Sequence, residues 1–385
     1  MILNARVLNI RKHKAIAFLD CYTGERDKQQ FMIDKNLVTD NNIKCGDYIK
    51  VEGEITTNKN GNLIFLAHSI LDISKATDWE HYKGINNKTN DVKQEILFNA
   101  RNAGEQLLIL EYKKRVLEKI KNILNNDNFE DMTSLLNVVE RQKNGSRVID
   151  AEIKNRKSNE PRFLRITLEN QLKQACAILL KSVYSIDKAF RNMGEDNGHI
   201  NEFLLFELVS IDYKIEDMIN FILKMDNVAR EEHKLLFDTN KNFIDKLEIV
   251  DFTNYKKRGE GLEEIKSKLN NVLITNYPAF SPLIKTDNNG NQTETRWYLN
   301  GRYTGHFYED ENDFSLIENL VDKQNDENNV EDEDINRLEY FTWGLPSTIS
   351  FGISIDRWLQ QSLNEDNINK VANPLGLDYS KIRRR

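Results

Sequence analysis

Two segments of this chain each set an arginine among residues suited to holding a nucleotide. Residues 184–194 contain Arg191 and continue, after a short loop, through His199 and Phe203 to Leu208. The second segment, Gly344-Leu345-Pro346-Ser347 and then residues 351–358, contains Arg357. A triphosphate needs cations fixed in space, and a guanidinium presents a planar fork of donors that matches phosphate oxygens. An adenine ring needs flat partners above and below, which arginine and phenylalanine supply. Other chemistries drop out. Cys21, Cys45 and Cys176 are far apart and lack metal-ligand spacing, so buried reduced thiols are expected and neither a disulfide nor a zinc site is. The chain has no phosphate-loop lysine motif and no internal repeat.

The remaining residues must position those two segments, and 385 of them suffice for two domains. With 39% hydrophobic and 30% charged residues the chain should fold. No apolar run approaches the ~20 residues that cross a bilayer. The opening residues 1–7 alternate like a strand and do not read as a signal peptide, so the cytoplasm is the expected location, with no membrane partner. A formal net charge of −7 gives no overall attraction for a polyanion, so any nucleic-acid contact must be local.

Residues 5–8, 15–21, 29–33, 48–55 and 62–70 read as five short strands, with turn residues such as Asn60-Gly61 between the last two. Five strands in so short a segment match an oligonucleotide-binding (OB-fold) barrel, whose second and third strands stack bases on aromatics. Phe18, Gln30 and Phe31 fall on those strands, with Arg6, Arg11, Lys12 and Lys14 nearby. The competing reading makes Phe18 and Phe31 core residues. From Asp91 to about Asn126 the apolar positions recur at helical spacing, and a further helix is expected over residues 207–224. Residues 312–333 are rich in Asp, Glu and Asn and read as a surface excursion; the basic end at 381–385 reads as a solvated tail.

Together the two arginine segments resemble motifs 2 and 3 of class II aminoacyl-tRNA synthetases. Residues 162–173 look like the lysyl enzymes' lead into motif 2, and residues 277–283 like their tyrosine-proline strand. Leu338-Glu339-Tyr340 precedes motif 3 as it does there, and residues 46–71 resemble the end of their barrel. The likeness is collinear over nearly the whole chain, which therefore resembles the lysyl-tRNA synthetase family, within the aspartyl, lysyl and asparaginyl subgroup, as a divergent paralogue. The resemblance implies an α+β fold: an OB-fold domain at 1–75, a linker at 76–105, and at 106–385 a class II catalytic domain, an antiparallel sheet flanked by helices.

The resemblance implies ATP-dependent formation of an aminoacyl-adenylate and transfer to tRNA. By position, Arg191 would hold the α-phosphate, Arg357 and Phe203 would enclose adenine, and His199 would stand near the outer phosphates. Glu169, Glu207 and Glu309 match carboxylates that hold the amino groups of a lysine-like substrate, and Phe18, Gln30, Phe31 and Arg11 would meet RNA. Several family residues are replaced: the motif 2 acid by Met193, the arginine before the loop histidine by Gly198, and a substrate-contacting tyrosine by Val209. The two acids that usually hold magnesium align with Arg296 and Tyr303, with Glu294 or Glu309 able to restore one of them. Leu135 stands where the motif 1 proline of a dimer-forming helix is expected, so a homodimer is an open expectation. Two alternatives follow from these departures: an adenylate-forming ligase with a non-tRNA acceptor, and an inactive paralogue that binds RNA or a partner.

Overall fold

The computed structural model describes residues 1–24, 28–58, 60–76, 89–133, 135, 137–139, 162–192, 194, 196–237, 245–257, 261–278, 281–287, 292–328 and 344–374. Two compact units emerge, one holding Met1–Glu111 and the other Tyr112–Ala372.

In the first unit, β1 (Ile2–Lys12), β2 (Ile16–Tyr22), β3 (Gln29–Asp34), α1 (Lys35–Asp40), β4 (Tyr48–Thr57) and β5 (Leu63–Ser74) follow one another. The strands close into a barrel in the order β1-β2-β3-β5-β4, as the sequence leads one to expect. Period-two alternation fills it: Ala17, Leu19 and Cys21 of β2 and Phe31 and Ile33 of β3 point inward. Phe31 packs on Phe65 with ring centroids 4.8 Å apart. Helix α1 is an addition, started by Asp34, whose carboxylate accepts the Asn36 N–H at 2.7 Å.

Further along the chain come α2 (Thr89–Asn126), β6 (Glu130–Asp131), β7 (Val138–Val139), β8 (Phe163–Leu164), α3 (Glu169–Leu179), β9 (Val183–Phe190) and β10 (Glu202–Ser210). After them stand α4 (Ile215–Leu236), β11 (Glu248–Asp251), α5 (Phe252–Lys257), α6 (Leu262–Lys268), β12 (Asn271–Pro278), β13 (Thr293–Leu299) and β14 (Arg302–Glu309). The last elements are α7 (Phe314–Asn328), β15 (Ile349–Ser354), α8 (Ile355–Ser362) and α9 (Asn369–Ala372). Eight strands form one sheet, β11-β12-β13-β14-β15-β10-β9-β6, antiparallel except at its two outermost pairs. Tyr112, Val116, Ile120 and Leu124 of α2 recur every fourth residue and are fully buried, and the Tyr112 hydroxyl donates to the Ala229 carbonyl of α4 at 3.2 Å.

Two expectations need correcting. Residues 202–210 are a strand, and the helix expected over 207–224 begins only at Ile215. Strand β10 lies between β9 and β15, so nearly every residue from Phe203 to Ser210 is buried on one face or the other. A continuous apolar run of that kind has no period of two and imitates a helix. In the acidic stretch, residues 314–328 form α7, whose Ile317 and Val321 pack with Leu345. The acidic composition hid an apolar spacing that serves a small local core.

The β13–β14 hairpin turns on Asn300 and Gly301, at φ +48° and +71°. That two-residue mirror-image turn matches the twist of the strands it joins and sets their register. Arg296 thereby pairs with His306 and Tyr298 with Tyr303, with a bulge between Trp297 and Tyr298.

Candidate nucleotide and amino-acid cleft

Three neighbouring strands present one row of residues to the same face of the sheet. Glu207 of β10 sits opposite Gly352 of β15, which sits opposite His306 of β14. Above this row a cleft enclosing about 700 Å³, its mouth included, is lined by Arg191, His199, Phe203, Glu207, Tyr303, His306, Gly352 and Arg357, among others. The four residues expected at a nucleotide are thus brought together.

Arg191 follows β9. Its backbone N–H donates to the Asn201 carbonyl at 2.8 Å and its Nε to the Ile166 carbonyl at 3.0 Å, which fixes the guanidinium 5.4 Å from the centre of the Phe203 ring. Arg357 sits on the first turn of α8, which Ser354 starts by accepting the Arg357 N–H at 3.4 Å. Asp356 beside it is fully buried, paired with Lys113 at 2.5 Å and accepting the Leu204 N–H at 2.6 Å, so α8 is fastened to β10. The Arg357 guanidinium donates to the carbonyls of Gly198 at 3.3 Å and Tyr303 at 3.5 Å. Burial, then the nearby charges of Arg191 and Arg302, lower its pKa from the usual arginine value. His199 pairs with Asp196 at 2.9 Å on the exposed rim.

The other end of the row is acidic. Glu207 accepts the Thr167 hydroxyl at 2.8 and 2.9 Å and the Leu168 N–H at 2.6 Å. Burial, followed by the charge of Glu169, pushes its carboxyl up to about 7. Glu169, the first residue of α3, meets the Lys173 ammonium one turn later at 2.5 Å and the Tyr308 hydroxyl at 2.6 Å. Burial works against its ionisation, yet Lys173 and these hydrogen bonds outweigh it and hold the carboxyl below the ordinary value. Lys173 is itself fully buried and bridges to Asp310 at 2.7 Å. Asp310 also accepts the hydroxyls of Thr348 and Ser350, each at 2.7 Å. Gly352, Glu207 and His306 border both ends of the cleft.

Glu309 must be replaced by Asp310 as the third acid at this end. Alternation along β14 turns Tyr308 to Glu169 and the next even position, Asp310, to Lys173, while Glu309 stands exposed on the opposite face. The roles of Lys173, Tyr308 and Asp310 went unnoticed in the sequence; the period of two in residues 306–310 was the signal for Tyr308 and Asp310, and the four-residue spacing from Glu169 the signal for Lys173.

Magnesium fits poorly. Glu294 is paired with the Arg296 guanidinium and with His306 Nδ1 at 3.1 Å, and Arg296 stacks 3.9 Å from the centre of the Tyr277 ring. Tyr303 supplies no carboxylate, and Glu309 faces away. Among the described residues no three of His, Cys, Asp and Glu converge as metal ligands would. A carboxylate already neutralised by a fixed guanidinium has little left to offer a dication.

In the barrel, Phe31 is fully buried against Phe65, so the core reading of this residue replaces the base-stacking one. Phe18 lies half-buried on the outer face, edge-on to His13 at 5.6 Å. Arg11 donates to Asp20 at 3.0 Å and Gln30 donates to the same carboxylate at 3.3 Å. Leu135 is half-buried and packs against the cluster of Leu168, Leu172 and Val183. Met193, Leu338-Glu339-Tyr340, Ala279-Phe280 and the terminal basic tail lie outside the described residues.

The profile of the class II tRNA synthetases for D, K and N matches residues 90–373. The lysine–tRNA ligase of Saccharolobus solfataricus is 24% identical over 448 residues, covering 98% of this chain and 87% of that protein. That of Buchnera aphidicola is 23% identical over 383 residues, covering 85% and 75%. Among solved structures, asparaginyl-tRNA synthetase from Pyrococcus horikoshii, complexed with asparaginyl-adenylate, superposes with a TM-score of 0.73 at 15% identity, covering 97% of this chain and 93% of the other.

Proposed function

Because this chain belongs to the class II tRNA synthetases for D, K and N, we propose that it joins an amino acid to ATP as an aminoacyl-adenylate and passes the acyl group to tRNA in the cytoplasm. One observation carries this reading: Arg191, Phe203 and Arg357 share a cleft whose other end gathers Glu169, Glu207 and Asp310. The substrate carboxylate attacks the α-phosphorus, a P–O bond to pyrophosphate breaks, and a mixed anhydride forms. Arg191 stabilises the negative charge that gathers on the α-phosphoryl oxygens, while Arg357, whose planar face lies with Phe203 about the adenine, turns its edge toward the phosphates. No protein nucleophile takes part; the cleft works by holding two reactants in line. In the second step the acceptor hydroxyl attacks the acyl carbon and AMP leaves.

The acid end suits an amino acid with a second ammonium group, as in a lysine-like substrate. Lys173 already neutralises part of the charge of Glu169 and Asp310, so Glu207 is the carboxylate left to meet a ligand amine. ATP–pyrophosphate exchange across the amino acids is expected to show activity with one or a few cationic or small polar ones. Silence with every amino acid, in protein that still binds ATP, would remove this function.

A second reading keeps adenylation and changes the acceptor to a small molecule or protein side chain. It is favoured by the barrel, where Phe31 turns into the core and Asp20 occupies Arg11 on the outer face. Aminoacylation of total tRNA by the purified protein separates the two: adenylate without charged RNA favours the second.

A further inference from the structure

On the rim of the cleft, Arg302 stands at the first position of β14, directly after the Asn300-Gly301 turn. Its guanidinium reaches back to the motif 2 loop, so that a Cβ built on Gly198 would lie 2.6 Å from the nearer terminal nitrogen of Arg302. A side chain at 198 would have to push the guanidinium aside, so glycine there lets Arg302 lie against the loop. The Gly198 carbonyl meanwhile accepts from Arg357 at 3.3 Å. Two guanidinium groups therefore converge on one loop backbone, and they line an open recess with Asp196, Asn197, His199 and Tyr303. Asp196, the one carboxylate lining it, is engaged by His199 and by the Gly198 N–H at 2.6 Å. No carboxylate among the described residues pairs with Arg302. The Arg357 charge is disfavoured by Arg302 and Arg191, after burial. Cations that repel one another across an open recess are arranged for an anion that is not part of the chain.

We propose that Arg302, and not a residue of the motif 2 loop, binds the outer phosphates of the nucleotide together with Arg357, and that this grip needs no divalent cation. The inference rests on the adenylation reading for the identity of the ligand. Position 198 has given up its side chain, and the neighbouring strand delivers a guanidinium into the same space. Glycine at 198 and arginine at 302 are in this sense one device: the first opens the room that the second fills. Magnesium is dispensable for binding because the guanidinium groups of Arg302 and Arg357 supply the positive charge at the polyphosphate, while Glu294 is spent on Arg296.

The test is isothermal titration of the full chain with ATP, AMP and inorganic pyrophosphate, all in excess EDTA. Wild-type protein is expected to bind ATP and pyrophosphate. Arg302→Ala is expected to weaken both at least tenfold while AMP, which lacks the outer phosphates, binds unchanged; Arg302→Lys should recover part of the loss. Gly198→Ala should weaken ATP and pyrophosphate in the same direction as Arg302→Ala but by less, with AMP unchanged, because its methyl group shifts the end of the guanidinium without removing it. Arg302 is exposed, so its removal should leave the thermal midpoint in place. Equal ATP affinity in wild type and Arg302→Ala overturns this assignment and leaves the adenylation reading standing. ATP binding that appears only on adding magnesium overturns the metal-free grip. No binding of ATP or AMP by wild type, with or without magnesium, overturns both this assignment and the reading beneath it.

Discussion

The two ends of the cleft handle charge in opposite ways. At the acid end Glu169 and Asp310 find their partners within the chain: Lys173 lies between them, Tyr308 donates to Glu169, and two hydroxyls donate to Asp310, which leaves Glu207 alone without a paired cation among the described residues. At the arginine end the guanidinium groups of Arg191, Arg302 and Arg357 face one another, and carbonyl oxygens, not carboxylates, hold Arg191 and Arg357. A group satisfied from within holds its shape without ligand and resists rearrangement. Like charges kept together, with only Asp196 nearby and that already engaged by His199, are instead stabilised by whatever anion arrives. On the proposed function, the contrast separates a permanent scaffold at the amino-acid end from a polyphosphate trap whose stability rises on loading.

The largest expected effect strikes the scaffold. Lys173→Met leaves Glu169 and Asp310 buried without their cation and should cost about 3–5 kcal/mol in urea unfolding; a loss under 1 kcal/mol would mean that the acid end is not self-satisfied. At the opposite end, Arg191→Ala should reduce adenylate formation by about 100- to 1000-fold, roughly 3–4 kcal/mol of transition-state stabilisation, while the unfolding midpoint without ligand stays or rises. If that midpoint falls steeply, the arginine end is scaffold too. Glu207 sharpens the comparison through pH. The unfolded chain releases this proton near the ordinary carboxylate value, and the folded chain holds it up to about 7. Stability from this group is therefore complete below the ordinary value, declines as pH rises to about 7, and is flat above. Unfolding followed from pH 4 to 8 should show that decline in wild type and lose it in Glu207→Gln; parallel curves would show that the carboxyl is not raised. The smallest effect belongs to Glu309→Ala, on the exposed face of β14, expected within about 0.5 kcal/mol of wild type and with unchanged adenylation, whereas Asp310→Asn should impair both.

Much of this architecture was legible because its signals are local. The barrel's strands announce themselves by alternation, and Arg191, His199, Phe203 and Arg357 sit in two short segments with recognisable neighbours. What escaped is what depends on pairing between distant segments. Lys173 lies 137 positions before Asp310 (310 − 173) and the two meet only across the folded sheet. Glu309 and Asp310 differ by one place, and a slip of one residue in a strand exchanges its faces, which an approximate likeness cannot detect. Phe31 shows the same limit: an aromatic on the right strand, turned inward by one position. The end of strand β10, residues 207–210, was taken for helix because burial on both faces erased its period. Arg302 was invisible because only the turn at Asn300-Gly301 carries it back to Gly198.

Gly352 stands where the acidic and the cationic halves of the cleft meet, and a Cβ there would already lie 3.3 Å from Glu207 Cγ. The missing carbon works as a doorway. A branched side chain at this one position would divide the space into two closets, each able to keep its own guest, with no route for the guests to touch. On the proposed joining of two reactants, the bare hydrogen of Gly352 is what keeps them within reach of each other.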